Sequence, residues 1–80
     1  MNAFETVKEI VKNRVAFINL AVRNDCGAET YERFRHELTG MMICLKNVNE
    51  TENFYNLRYD ENGIVSFGYY DESGRWITEQ

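Results

Sequence analysis

"YDENGIVSFGYYDESGRW", residues 59–76, contains nearly the same pentapeptide twice. Tyr59-Asp60-Glu61-Asn62-Gly63 returns eleven positions later as Tyr70-Asp71-Glu72-Ser73-Gly74. Asp at the first position of a turn and Gly at the fourth suit a type I turn closed by a left-handed glycine, a common three-residue hairpin loop. The pleat tests this reading. With Glu61-Asn62-Gly63 as the loop, Tyr59 faces Val65, Leu57 faces Phe67 and Tyr55 faces Tyr69, so every pair is apolar and on one side. A four-residue loop sets Arg58 against Val65 and Asn56 against Phe67. Because a one-residue slip turns every side chain to the other face, the three-residue loop is chosen.

The same loop at Glu72-Ser73-Gly74 pairs Tyr70 with Trp76 and Tyr69 with Ile77. The repeat is thus one turn used twice, and it predicts a three-stranded meander near 53–59, 64–70 and 75–79. Its inner face carries Tyr55, Leu57, Tyr59, Val65, Phe67, Tyr69 and Ile77. The opposite face carries a row of Phe54, Tyr70 and Trp76, with Ile64 near one end and Gly68 leaving a shallow notch beside Trp76. Cross-strand aromatic pairs stabilise a sheet, but Trp and Tyr also dominate binding hot spots. The row is therefore a candidate partner-binding surface.

Upstream, two helices are expected. Asn2 with Glu5 three residues later forms an N-cap pattern, and Phe4, Val7, Ile10, Val11, Phe17, Ile18, Ala21 and Val22 recur at helical spacing. "RNDCG" ends this run, with Asn24 suited to a left-handed position and Asp25 to the next N-cap. In the second helix Tyr31, Phe34, Leu38, Met41, Leu45 and Val48 step by three and four, a seam for one helix against another. A short connection makes the helices antiparallel. Phe17 then meets Phe34, Ile10 meets Met41, and Arg14 meets Glu37. A charge inside the apolar arc requires a partner, so Arg14–Glu37 is an expected structural ion pair, with Glu37→Met the worse change because it orphans a buried arginine. Leu20 and Ile43 fall outside the core arcs.

The fold class is thus α+β: an antiparallel helical hairpin (1–49) packed on one face of an acidic three-stranded antiparallel meander (50–80), in a single domain. Eighty residues bury only about 60% of the surface the unfolded chain exposes, so the core is marginal. Residues 1–49 carry seven Lys/Arg against six Asp/Glu, whereas 50–80 carry two against seven. The net negative charge resides in the second half, where Asp60, Glu61, Asp71 and Glu72 crown the turns and join the aromatic row as candidate partner-binding residues.

Direct nucleic-acid binding is disfavoured, since phosphate contacts need clustered Lys/Arg. No run is apolar and long enough for a membrane, and "MNAFETVKEI" lacks a signal-peptide pattern, so a cytoplasmic address is expected. Cys26 and Cys44 are expected as reduced thiols, Cys44 on the flank of the seam. On one helix from residue 28, Cys44 lies about 24 Å from the helix start, beyond disulfide reach. The single histidine, His36, falls opposite the seam beside Glu32 and Arg33, without the nucleophile and orienting group of a catalytic set. No phosphate loop, zinc spacing or calcium loop occurs, so no cofactor and no metal are expected.

Two resemblances accompany these residues. Tyr-Asp-x-x-Gly followed by Arg, as in "YYDESGRW", resembles the repeat unit of surface YD-repeat proteins, whose arrays need several units to stack. A helical hairpin followed by a meander resembles RelE/ParE-type toxins, which cleave messenger RNA or target gyrase. Their leading strand and basic surface are missing here. The expected role is a non-enzymatic protein-interaction module, an adaptor or regulator that forms a homodimer. The alternative is a small acidic inhibitor, of the type found in phages and mobile elements, that fills a basic nucleic-acid groove of another protein.

Overall fold

Asn2 starts the first helix: its Oδ1 accepts the Glu5 amide at 2.8 Å, capping α1 (Ala3–Arg23). The computed structural model describes residues 1–79. At the other end of α1, the Asp25 amide donates to the Val22 carbonyl and the Cys26 amide reaches back to Ala21. This pair of bonds is a Schellman closure, and it puts the left-handed residue one step later than the sequence pattern suggests. Asp25 takes φ 56°, Asn24 closes α1, and Gly27 rather than Asp25 is the N-cap of α2 (Ala28–Val48).

Three strands follow: β1 (Phe54–Tyr59), β2 (Val65–Tyr70) and β3 (Trp76–Thr78). They pair antiparallel in the order β1-β2-β3. The register is the one the three-residue loops require, with Tyr55 opposite Tyr69, Leu57 opposite Phe67, Tyr59 opposite Val65 and Tyr70 opposite Trp76. Both turns are built alike. Gly63 and Gly74 have φ of 85° and 83°, a region glycine enters without steric cost. The Gly63 amide donates to Asp60 and the Gly74 amide to Asp71. The chain is therefore α+β, a helical layer on a three-stranded antiparallel sheet.

The core lies between the layers. Phe4, Val11, Val15 and Ile18 of α1, Leu38 and Leu45 of α2, and Val65 and Phe67 of β2 are buried. Tyr55 ties them together, its ring 5.6 Å from Phe4, 5.7 Å from Phe67 and 5.2 Å from Tyr69. Val15 belongs to this core although the α1 pattern above omits it. Ile10 and Phe17, by contrast, are about half exposed. They line the rim of the helix–helix seam that faces away from the sheet, where Phe17 meets Phe34 edge-to-face at 6.0 Å. α1 lies over β2, and α2 runs beside β1.

Candidate functional site

The outer face of the sheet carries the row of Phe54, Tyr70 and Trp76, neighbours across three strands. Phe54 is 69% exposed and Tyr70 38%. Tyr70 and Trp76 meet edge-to-face at 5.1 Å, as expected for an antiparallel pair whose side chains approach closely. Gly68 does not leave an open notch. It is buried, and a Cβ there would stand 2.1 Å from the Ile77 carbonyl oxygen and 2.9 Å from Trp76 Cζ2. The Trp76 ring fills the space, with the Arg58 guanidinium 5.3 Å from its centroid and the Trp76 Nε1–H donating to Thr78 at 3.1 Å. Trp76 is thus packed against the sheet, Tyr70 leans on it while still partly exposed, and Phe54 is the free end of the row.

The turn acids divide into two kinds. Asp60 Oδ1 accepts the amides of Asn62 and Ile64 at 2.8 and 3.0 Å. Asp71 Oδ1 accepts the Ser73 hydroxyl at 2.6 Å and the amides of Ser73 and Arg75 at 2.9 Å. The Ser73 hydroxyl bond, then the Arg75 amide, hold the Asp71 carboxyl at about 2. These aspartates serve their own loops. Glu61 and Glu72 stand exposed at the turn tips.

Arg14 Nε donates to Glu37 across the helix seam, and its guanidinium lies 4.7 Å from the Phe17 ring and 5.5 Å from Phe34. The two charged side chains retain 32% and 41% exposure. Water therefore shares in solvating them, and the asymmetric penalty expected from burial is correspondingly reduced. Cys44 is exposed rather than packed on the seam, and Cys26 is half-buried in the inter-helix turn. His36 stands on the open flank of α2, 4.0 Å from Glu32.

Two polar anchors carry no periodic signal in the sequence. Lys8 Nζ reaches Glu79 at 3.2 Å and Glu5 at 3.7 Å, and lies 5.1 Å from the Phe4 ring. Burial works to lower the Lys8 pKa, but the Glu79 bond and the neighbouring negative groups outweigh it and leave it raised. On the same helix, Asn19 bonds the backbone of Val65 through both ends of its carboxamide.

A groove of about 780 Å³ lies between α2 and β1. Met42, Leu45, Tyr55 and Leu57 supply apolar walls, and Ile43 and Phe54 stand at its rim, 58% and 69% exposed. Its charged lining comes from Glu32, Arg35, Lys46 and Glu52, with His36 beside them. Arg35 leans over the Tyr59 ring at 4.8 Å and fixes one end. At the other, the Asn49 carboxamide donates to the Asn53 carbonyl at 3.0 Å. Periodicity along α2 gives no warning of this groove, because its width is set by where α2 settles relative to β1.

Among the described residues no three His, Cys, Asp or Glu side chains converge as metal ligands, and no helix is long and apolar enough to cross a membrane. Compared with known proteins, the chain matches no family model, no curated protein and no solved structure.

Proposed function

We propose that this chain is a non-enzymatic protein-interaction module, an adaptor or regulator that works as a homodimer. The observation that carries this reading is the α2–β1 groove, an open, apolar-walled space with Ile43 and Phe54 exposed at its rim. Removing apolar surface from water stabilises by about 25 cal/mol per Å², and a domain with so small a core gains much of its stability from such cover. Supporting the non-enzymatic part, His36 and Cys26 line different clefts. On this proposal the protein works in the cytoplasm, where both thiols stay reduced.

The acidic-inhibitor reading uses Glu52, Glu61 and Glu72 instead, because Asp60 and Asp71 are engaged by their own turns. Salt separates the two. Light scattering on a sizing column at low and high salt is expected to give about 19 kDa, twice the 9.5 kDa chain mass, under both conditions. A 9.5 kDa particle at both salts overturns self-association. The inhibitor reading then predicts a basic protein partner whose complex weakens steeply with salt.

A further inference from the structure

We infer that the open edge of β1 pairs antiparallel with β1 of a second copy about a twofold axis at Leu57, joining two three-stranded sheets under both α2 helices. This rests on the self-association proposed above and names its surface.

The two margins of the sheet differ. On the β3 side, β3 covers only Gly68 to Tyr70, and the remainder of β2 is closed by other means. The Glu79 amide donates to the Phe67 carbonyl at 2.8 Å, and Asn19 takes both backbone groups of Val65 at 2.8 Å. On the β1 side, among the described residues, the one bond to an outward-facing backbone group of the strand is that of the Leu57 amide to Asn56 Oδ1. A long uncovered edge is a template for another strand, and proteins normally blunt it with charge, proline or a bulge. β1 reads FYNLRY: it has no proline, and its one charge, Arg58, is drawn inward over Trp76.

The pleat says which groups are free. The Asp60 amide donates to the Ile64 carbonyl, so alternation turns the N–H and C=O of Tyr59, Leu57 and Tyr55 away from β2. One of these is occupied from within its own strand: Asn56 Oδ1 accepts the Leu57 amide at 2.8 Å. A twofold at Leu57 sets Leu57 against Leu57 and Tyr55 against Tyr59 of the other copy, with all these groups paired once Asn56 swings aside. The side chains that meet are the inner-face Tyr55, Leu57 and Tyr59, so the apolar floor continues through the join.

The charge on α2 fits the same axis. Arg35 lies on Tyr59, and two strand residues back from Tyr59, about 6.6 Å, correspond to about four helix residues. Thr39 is therefore level with Leu57. Glu32 and Lys46 sit seven residues to either side of Thr39, about 10 Å along the helix, and both line the groove. The twofold places Glu32 of each copy beside Lys46 of the other. Lys46 makes no ion pair among the described residues.

The test is a charge swap read by sedimentation over a concentration series. Lys46→Glu sets two acids together at both ends of the join and is expected to weaken the dimer about tenfold. The double variant Glu32→Lys/Lys46→Glu restores it. Both positions are exposed on a helix, so folding is retained. Tyr59→Pro removes an edge N–H that makes no bond among the described residues and is expected to leave a folded monomer. Amide exchange at Tyr55, Leu57 and Tyr59 is expected to slow as the wild-type concentration rises. A wild-type dimer indifferent to Lys46→Glu, with these amides unprotected, overturns the β1 edge while leaving homodimerisation standing. A wild-type monomer at every concentration overturns both.

Discussion

The carboxamide of Asn19 grips Val65 from both sides: its Nδ2 donates to the Val65 carbonyl and its Oδ1 accepts the Val65 amide, each at 2.8 Å. An α1 side chain thus supplies, at the sheet margin, the two bonds that β3 is too short to provide. Val65 is also a buried core residue, so the clamp fixes helix and sheet relative to one another where they pack.

Removing the clamp leaves a donor and an acceptor unpaired in a partly buried place. Each such group costs about 1–3 kcal/mol, with the lower end expected where water retains access. Asn19→Ala is therefore expected to lower the urea midpoint by an amount equivalent to about 2 kcal/mol. Asn13→Ala on the exposed side of α1 is expected to stay within about 0.5 kcal/mol. Equal midpoints for the two variants would count against the clamp.

Gly68 is required for space rather than for backbone freedom. An added methyl meets the Ile77 carbonyl oxygen at 2.1 Å, a backbone atom that cannot rotate away. Overpacking of this kind costs about 1–3 kcal/mol or more. Gly68→Ala is expected to push β3 off β2, seen as a shift of Trp76 fluorescence and loss of near-ultraviolet dichroism at unchanged helix content. Native-like fluorescence in the variant would refute the close approach.

Stability is expected to fall at both pH extremes, for opposite reasons. Asp71 is held at about 2 by the Ser73 hydroxyl bond first and the Arg75 amide next. A depressed carboxyl contributes its stability above the unfolded value and loses it as pH falls through the folded one. The acid arm therefore lies between the ordinary 3.8 and about 2. Ser73→Ala is expected to move the Asp71 carboxyl carbon titration upward in an NMR series. Lys8, Tyr31 and Tyr55 are all raised, the tyrosines chiefly by burial. Raised groups stabilise below their unfolded values and lose that contribution as pH climbs past about 10. Glu79→Gln removes the Lys8 partner and is expected to shrink the lysine share of the alkaline loss. An Asp71 titration unmoved by Ser73→Ala would refute the hydroxyl as its main cause.

The meander could be read from the chain because Asp-x-x-Gly spacing and period-two alternation act over neighbouring residues, and together they fixed every pairing between β1, β2 and β3. The helices were readable as elements, less so as faces. Ile10 and Phe17 share the broad apolar arc of α1 with Val11 and Ile18, yet only the latter two are buried. An arc that wide spans both the sheet side and the outer seam, and periodicity does not divide it. Asn19 and Lys8 are polar residues on a polar-flanked helix, and their partners Val65 and Glu79 lie far along the chain. Asp60 and Asp71 were readable as turn residues and as acids, but which role uses the carboxylate depends on where the loop amides point. The α2–β1 groove arises from the placement of whole elements and has no local signature.

The unequal margins of the sheet bear on how many copies can join. A strand ladder open at both ends can be extended without limit, which is how fibres grow. On the proposed pairing the β1 edge is used up by a single twofold contact, which consumes the same patch on both partners, while Asn19 closes the Val65 stretch of β2 that β3 leaves uncovered. On that pairing, addition through β1 stops at two. The opposite margin is a strand of only three residues, Trp76 to Thr78, the kind of short edge that discourages further pairing.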